Sequence, residues 1–287
     1  VLVPQWLERP STWLPVGVTD GQVSAMVVAS NGDLLVGGVF STVNGTPCAS
    51  IARWNGTSWS SVGAGVSGTT PYIDEMVFLP NGDLVVAGSF TVAGSVAVPG
   101  LARWDGSSWA AIGSGYAGYW TLAMAVAPNG DLLCAGRYTP VSRWDGVAWT
   151  TLGNPAMFGL GFAEAIAVLP DGDVVVGAAY TQDPVMRWDG VAWAPVVAAT
   201  SAYPRSLTQL PNGDLFVGML GGLTAPGLGP EIGIVRLTTT CPATTTSYSP
   251  SCASSGGSNQ LTASLPWTGG TWTSHATGLP NPAFVLA

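Results

Sequence analysis

The sequence contains no lysine and very little charge of either sign. Its positive charges are eight arginines, charged residues make up 8% of the chain, and the formal net charge is −8 with a pI near 4.3. Nucleic-acid binding needs a basic surface. This composition therefore argues against a nucleic-acid partner.

Histidine and cysteine are also scarce. The single histidine, His275, lies outside the repeats described below, which excludes a Ser-His triad or a histidine metal site within them. None of the four cysteines has zinc-site spacing, and we predict no metal and no cofactor. Cys241 and Cys252 bracket a short Pro/Ser/Thr loop and are predicted to form a disulfide. Cys48 and Cys134 lie in different repeats and are predicted to be unpaired.

The chain also lacks an apolar run long enough to span a bilayer, and it does not begin with methionine. A disulfide would fit an oxidising compartment. We therefore expect a secreted, extracellular or cell-surface protein with no membrane span, whose sequence is either a mature form or a fragment.

What the sequence does contain is a repeat, clearest at residues 79–113, where Leu-Pro-Asn-Gly-Asp leads into an apolar run and Ala-Arg-Trp-Asp-Gly follows after a gap. The Asn-Gly-Asp turn (Asp-Gly-Asp in the fourth repeat) occurs five times, at intervals of 50, 48, 42 and 41 residues. Such periods with short apolar runs are typical of propeller blades. The sequence thus predicts an all-β protein, a five-bladed β-propeller.

Each repeat predicts four strands, which we call a to d from the inside of the ring outwards. Strands a and b flank the Asn-Gly turn, while c and d flank a second tight turn and carry recurrent tryptophans such as Trp104 and Trp109. Residues 11–17 (STWLPVG) match strand d at 57–63, and the fifth repeat has no tryptophan-bearing strand d. We therefore predict that residues 11–17 complete the last blade and close the ring, and that residues 1–240 form the propeller.

Residues 11–237 resemble kelch-type repeats in three features: the glycine pair Gly37-Gly38 that ends strand b, an aromatic residue in strand c and a tryptophan in strand d. The segment Leu-Pro-Asn-Gly-Asp-Leu-Val-Val-Ala-Gly is also similar to short propeller repeats of secreted bacterial proteins. The resemblance implies the fold but no particular activity, because propellers host many. The chain lacks the copper-ligating His and Tyr of kelch-type oxidases, so that activity is not implied.

Residues 241–287 differ in composition, since Ser, Thr, Gly and Pro dominate and the β-like runs are short. The segment is too short for a stable domain of its own, and we interpret it as an incomplete module or an assembly tail. The sequence stops inside an apolar run. We expect either a truncation there or a strand that pairs with another chain and allows self-association.

Charged residues that recur in every repeat are expected to be structural, whereas those that occur in single repeats are candidates for a binding site. The aspartate that begins each strand b comes near the arginine that ends the antiparallel strand c, which predicts one structural ion pair per blade. Most of the remaining charges fall in or beside the d–a and b–c connections, on the face opposite the tight turns. Variable loops on a rigid scaffold often carry binding.

Two columns of residues in strand a indicate a site at the mouth of the central channel. Nine residues before the turn aspartates stand Ser24, Asp74, Leu122, Glu164 and Arg205, and two residues earlier stand Gln22, Tyr72, Trp120, Phe162 and Tyr203. A two-residue step keeps both columns on one side of a strand. The predicted ligand-binding residues are Tyr72, Asp74, Trp120, Arg137, Glu164, Tyr203 and Arg205.

Three functions fit this mouth. A non-catalytic module would bind a glycan or an extracellular protein, because aromatic platforms with a few polar groups suit flat polar ligands. A glycoside hydrolase needs two carboxylates about 5–9.5 Å apart, with Asp74 as base or nucleophile, Glu164 as acid and Asp20 as a third carboxylate. A subunit of an extracellular assembly would make its contacts through the C-terminal segment. We expect the binding module, with the hydrolase as the alternative.

Overall fold

The computed structural model describes residues 14–113, 121–137, 139–153, 162–179, 185–196, 203–210, 214–220 and 234–237, with three short segments at 252–254, 257–259 and 261–264. The regular elements in these ranges are all β-strands, and none is a helix long and apolar enough to cross a membrane. Five four-stranded antiparallel sheets contain most of the strands. The all-β fold is confirmed, and five sheets are consistent with five blades.

The first two repeats carry additional short strands in the b–c connections and in the d–a connection between blades 1 and 2. The first repeat contains β1 (Gln22–Val28), β2 (Leu34–Val39), β3 (Thr42–Val43), β4 (Thr46–Pro47), β5 (Ile51–Trp54) and β6 (Trp59–Ser61). The second contains β7 (Val66–Ser67), β8 (Tyr72–Phe78), β9 (Leu84–Ser89), β10 (Val92–Ala93), β11 (Val96–Ala97), β12 (Leu101–Trp104) and β13 (Trp109–Ala110). Blade 1 is the sheet β1-β2-β5-β6 and blade 2 the sheet β8-β9-β12-β13. The extra strands form the hairpin β3-β4 and the small sheet β11-β10-β7 on the loop side.

Blades 3 to 5 repeat the same strand order with fewer additions. Blade 3 consists of β14 (Thr121–Val126), β15 (Leu132–Gly136), β16 (Thr139–Trp144) and β17 (Trp149–Thr151). Blade 4 consists of β18 (Phe162–Val168), β19 (Val174–Ala179), β20 (Val185–Trp188) and β21 (Trp193–Pro195). Blade 5 consists of β22 (Tyr203–Gln209), β23 (Leu215–Leu220), β24 (Ile234–Leu237) and, after the separate hairpin of β25 (Cys252–Ser254) and β26 (Gly257–Asn259), β27 (Leu261–Ser264).

The fourth strand of blade 5 is not the one that the sequence predicted. β27 pairs with β24 there, so that Leu261 lies opposite Leu237 and Ser264 opposite Ile234. The predicted closure by residues 11–17 is therefore wrong for this sheet, in which β27 takes that place. The predicted domain boundary after residue 240 stays a prediction. β27 follows β24 closely along the chain, so it loses less loop-closure entropy than a strand from the other end. The interpretation of the rest of that segment as an assembly tail stays a prediction.

The a–b turns have a different conformation from the expected two-residue loop. In the second repeat the Leu79 amide donates to the Asp83 carbonyl (2.8 Å), which leaves three residues in the loop. Gly82 has a φ of 89°, whereas Asn81 is not among the described residues with positive φ. A three-residue hairpin with a left-handed glycine has this pattern. The Asn81 amide group donates to Asp83 Oδ2 (2.8 Å) and so helps to fix that carboxylate.

The predicted Asp–Arg ion pairs are confirmed in the four blades whose arginine side chains the structure describes. The pairs are Asp33 with Arg53, Asp83 with Arg103 (3.3 Å), Asp131 with Arg143, and Asp173 with Arg187. In each of the first three pairs the aspartate is largely buried and the arginine about half exposed. These pairs tie strand b to strand c on the tight-turn side, away from the variable loops.

The tryptophans join each blade to the blade before it. The indole nitrogen of Trp109 donates to the carbonyl of Val62 (3.3 Å), that of Trp149 to Ile112 (2.9 Å), and that of Trp193 to Leu152 (2.7 Å). Apolar side chains fill the space between successive sheets. Cys48 and Cys134 are free thiols, as predicted, and both are buried. The predicted partner Cys241 of the disulfide lies outside the described residues.

Candidate functional site

The inner strands share a β-bulge at the column that the sequence singled out. Pairing with strand b shifts register between Val23 and Ala25, and equivalent shifts occur in the other blades. The residues skipped by the pairing are Ser24, Asp74, Leu122, Glu164 and Arg205. A bulge redirects a side chain and is frequent next to functional sites. The inner strands of successive blades pack against one another from β1 to β22, so these side chains form a partial ring at one end of the inner strands.

Two members of this ring form an ion pair across adjacent blades. Nη1 of Arg205 in blade 5 lies 2.5 Å from Oε2 of Glu164 in blade 4. The carboxylate side chain is only 14% exposed, while the guanidinium side chain is 53% exposed. Sequence reasoning placed both residues at the mouth but did not predict their pairing. Glu164 thus presents a charge-compensated carboxylate.

Asp74 of blade 2 is half-buried, and its Oδ2 atom has no hydrogen-bond partner among the described residues. Burial raises the pKa of Asp74 to about 6. Burial also raises the pKa of Tyr72, with a further contribution from the charge of Asp74, while Arg137 acts in the opposite direction and Ser89 hydrogen-bonds the phenol. The predicted residues Tyr72, Asp74 and Arg137 therefore belong to one electrostatic environment.

A cation–π contact continues this environment into blade 4. Cζ of Arg137 lies 4.1 Å from the ring centroid of Phe162, and the two residues also form an isolated antiparallel bridge between blades 3 and 4. Such a contact contributes about 0.5–1 kcal/mol at exposed sites. It orders a guanidinium and an aromatic face at the mouth, where both can meet a ligand.

Glu75 is a further carboxylate of this region that the predicted site did not include. Glu75 is half-buried and occupies the position that is alanine in three other repeats, at Ala25, Ala123 and Ala165. Ala25 and Ala123 pack in the junction with the following blade. Burial, and then the charge of Asp74, raise the pKa of Glu75 to about 7. The signal was available, because the same alignment of the repeats shows a lone acid in a column of small residues. Asp74 and Glu75 together form a pair of adjacent acids that hold protons unusually well.

The other residues of the predicted site lie outside this group of contacts. Asp20 accepts hydrogen bonds from the Ser41 hydroxyl and from the amides of Thr42 (2.9 Å) and Ser41 (2.8 Å), and these lower its pKa to about 2. Its carboxylate thus fixes the loop before β3, and its role as a third catalytic carboxylate stays a prediction. Tyr203 is half-buried at the start of β22. Trp120 lies outside the described residues.

A small pocket opens beside this site on the loop side of blade 2. It has a volume of about 150 Å³ and is lined by Thr69, Thr70, Gly88, Ser89, Phe90, Thr91 and Gly100. Ser89 belongs to the pocket and also pairs with Tyr72 across the sheet. Hydroxyl groups and backbone therefore surround a cavity next to the charged mouth. Among the described residues no group of three or more His, Cys, Asp or Glu side chains could hold a metal ion.

Comparison with solved structures supports the propeller architecture. Virginiamycin B lyase from Staphylococcus aureus aligns with a TM-score of 0.57 at 11% identity, over 88% of this chain and 74% of the lyase. YCF48 bound to a D1 peptide aligns with a TM-score of 0.51 at 17% identity, over 76% of this chain and 63% of YCF48. A xyloglucanase from Xanthomonas campestris gives a TM-score of 0.52 at 14% identity, over 79% of this chain and 43% of the enzyme. At these identities the likeness shows the fold alone.

Comparison with curated proteins found no match. A family model, that of the Rax2 C-terminal beta propeller domain, matches residues 9–159. The match spans more than half of the chain and includes blades 1 and 2 and the strands of blade 3. The kelch-type identity is not shown by any comparison and stays a prediction. The chain therefore belongs to the family of the Rax2 C-terminal β-propeller domain.

Proposed function

We propose that this protein is a non-catalytic, extracellular binding module that holds a glycan or a protein segment at the loop-side mouth of its propeller. The observation that carries the proposal is that charged and aromatic residues that do not recur from blade to blade lie together on the loop side of the propeller. Asp74, Arg137 stacked on Phe162, and Glu164 paired with Arg205 all lie at the starts of inner strands or at the ends of strands b. The tight-turn side repeats the same ion pairs from blade to blade.

The chemistry of the mouth suits a polar ligand with flat faces. Phe162 and Tyr72 offer aromatic surfaces, and the half-exposed guanidinium of Arg205 offers hydrogen-bond donors. Ligand sites combine apolar or aromatic walls with a few placed polar groups in this way. Sugars and peptide segments both have this character. YCF48, a structural neighbour of the same fold, was solved with a bound peptide, which supports a protein partner by analogy.

Binding to a glycan array and to a peptide array, followed by calorimetry on the strongest hit, tests the proposal. We expect Asp74→Asn and Arg137→Ala to weaken binding at least tenfold. Val191→Ser is the matched control, because Val191 is 83% exposed in a c–d turn on the opposite side. Circular dichroism would verify that each variant is folded. Absence of any glycan or peptide hit, or equal losses in the control, would refute the proposal.

A glycoside hydrolase remains the second candidate, favoured by the protonation behaviour of Asp74. An acid whose pKa is raised to about 6 suits a proton donor better than the base or nucleophile role that the sequence suggested. The roles of Asp74 and Glu164 would then be exchanged. Hydrolysis of a polysaccharide panel that is lost in both Asp74→Asn and Glu164→Gln would establish this activity. Hydrolysis that survives either substitution would exclude this pair.

A further inference from the structure

Two junctions between blades carry an acid at the same position of the repeat, but only one of them also supplies a cation there. Glu164 of blade 4 is paired with Arg205, which holds the equivalent position in blade 5. Asp74 holds this position in blade 2, and the equivalent residue of blade 3 is the uncharged Leu122. The inner strands pack against each other at both junctions, β8 on β14 and β18 on β22. The junction of blades 2 and 3 therefore repeats the acid without repeating its partner.

The carboxylate of Asp74 has the character of an incomplete pair. Its Oδ2 atom is buried and has no hydrogen-bond partner among the described residues, although the residue as a whole is only half-buried. A buried oxygen without a partner has lost its bonds to water without replacement, which is unfavourable. Burial alone raises the pKa of Asp74, and no described cation lowers it. A donor from outside the chain would complete the pair.

Arg137 of blade 3 shows how this region receives a guanidinium group. Its Cζ atom lies over the ring of Phe162 in blade 4. Arginine stacks on aromatic faces and forms paired hydrogen bonds with carboxylates, whereas the ammonium group of lysine is a more strongly hydrated point charge. Tyr72 is close enough to Asp74 for the carboxylate charge to raise the pKa of its phenol. An aromatic ring and a carboxylate are therefore offered together at Asp74 as well.

Glu75 places a second carboxyl group beside the first. Burial, and then the charge of Asp74, raise the pKa of Glu75, so the two groups influence each other. Like charges at this separation repel each other when both groups are ionised, and a cation bound between them relieves the repulsion. The two acids therefore favour a positively charged ligand group over a neutral or a negative one.

We propose that Asp74, supported by Glu75, binds an arginine side chain of a protein partner, as Glu164 binds Arg205 within the chain. This inference rests on the proposed function, because it specifies the ligand of the same mouth. Arginine is the occupant because the chain itself fills the equivalent place with arginine, and because a carboxylate beside an aromatic ring suits a guanidinium group. The net charge of −8 also favours the approach of a basic segment.

Titration of the isotope-labelled protein with N-acetyl-arginine amide, followed by NMR, tests the proposal. The matched probe is N-acetyl-citrulline amide, in which an uncharged urea group of the same shape replaces the guanidinium. The titrations are made at about pH 8, above the pKa of both carboxyl groups. We expect the amide signals of Asp74 and Glu75 to shift saturably with the arginine probe, and the citrulline probe to bind about tenfold more weakly. Equal affinities, or no saturable shift, would overturn the proposal.

Leu122→Arg supplies the missing cation from the chain itself. It is expected to lower the pKa of Asp74 towards its ordinary range and to weaken binding of the arginine probe by about tenfold or more. Val147→Arg is the matched control, since Val147 is 84% exposed in a c–d turn and the substitution adds the same charge. It is expected to change neither quantity. An unchanged pKa of Asp74 in folded Leu122→Arg, with folding verified by circular dichroism, would overturn the pairing at this junction.

The array experiments keep this inference separate from the proposed function. Array ligands that bind at the mouth without a positive charge would overturn the arginine site and leave the binding module standing. A glucosamine oligomer that shifts the signals of Asp74 and Glu75 at lower concentration than the arginine probe would likewise overturn it. Absence of any array ligand would instead refute the proposed function itself.

Discussion

Two methionines hold equivalent positions in the first and second repeats but differ in burial. The free energy of unfolding of their alanine variants should report this difference. Met76 is buried between blades 1 and 2, whereas Met26 on the inner strand of blade 1 is exposed. The perturbation is Met→Ala at each position. It removes the same atoms from the same position of the repeat, so that the two variants differ only in how far the side chain is buried.

The expected magnitudes differ several-fold. Truncating a buried methionine removes its transfer free energy and leaves a cavity, which costs about 2–5 kcal/mol. Because Met76 is 4% exposed and contacts the neighbouring blade, we expect about 3 kcal/mol for Met76→Ala. Surface substitutions usually change stability by less than about 0.5 kcal/mol. Met26→Ala is expected to fall in that range because the side chain is 69% exposed.

Urea unfolding followed by tryptophan fluorescence is a suitable assay, because paired tryptophans such as Trp104 and Trp109 lie at the blade junctions. Equal costs would refute the exposure of Met26, since they would mean that another part of the protein covers its side chain.

Two further predictions concern charged groups. Burial raises the pKa of Asp74 to about 6 and that of Glu75 to about 7, so the folded state retains protons that the unfolded chain releases at lower pH. The contribution of these two groups to the free energy of unfolding should therefore be fully present below about pH 4 and be lost as the pH rises through 6 to 7. We expect a loss of about 2 to 3 kcal/mol in total, less than the full shifts would give because both groups are partly solvated. Urea titrations across this range should become flat in the double variant Asp74→Asn/Glu75→Gln, and an unchanged slope would contradict the assignment. For the ion pair of Asp83 with the half-exposed Arg103, a double-mutant cycle with alanine should give a coupling of about 1 kcal/mol. A coupling near zero would show that the two side chains are close to each other but do not stabilise the fold.

Much of the scaffold was predictable because it depends on residues close together in the chain or repeated at fixed spacing. Turn chemistry and alternation identify the hairpins, and the repeat then places each turn aspartate opposite its arginine. The ion pairs of Asp33, Asp83 and Asp131 are confirmed for this reason. The exact turn conformation was missed, because Asn-Gly suits more than one hairpin loop.

The site was predictable as a set of positions but not as a set of contacts. The column containing Asp74 and Glu164 was found by alignment, yet no residue pattern there marks it as a β-bulge. The pairing of Glu164 with Arg205 and the stacking of Arg137 on Phe162 join different blades. Such contacts depend on how blades are placed around the channel, which no local pattern encodes.

The sequence by itself determined the repeating unit, because side-chain alternation, turn residues and tryptophan positions are properties of each segment. Only the tertiary structure decided which segment completes the last blade and which faces stay exposed. The outer edge of a sheet offers unpaired backbone donors and acceptors, and these accept any extended segment of suitable reach. Residues 11–17 have the right pattern for that edge of blade 5, but β27 occupies it. Backbone hydrogen bonds carry little sequence information, so the choice between two competent strands is made by chain geometry.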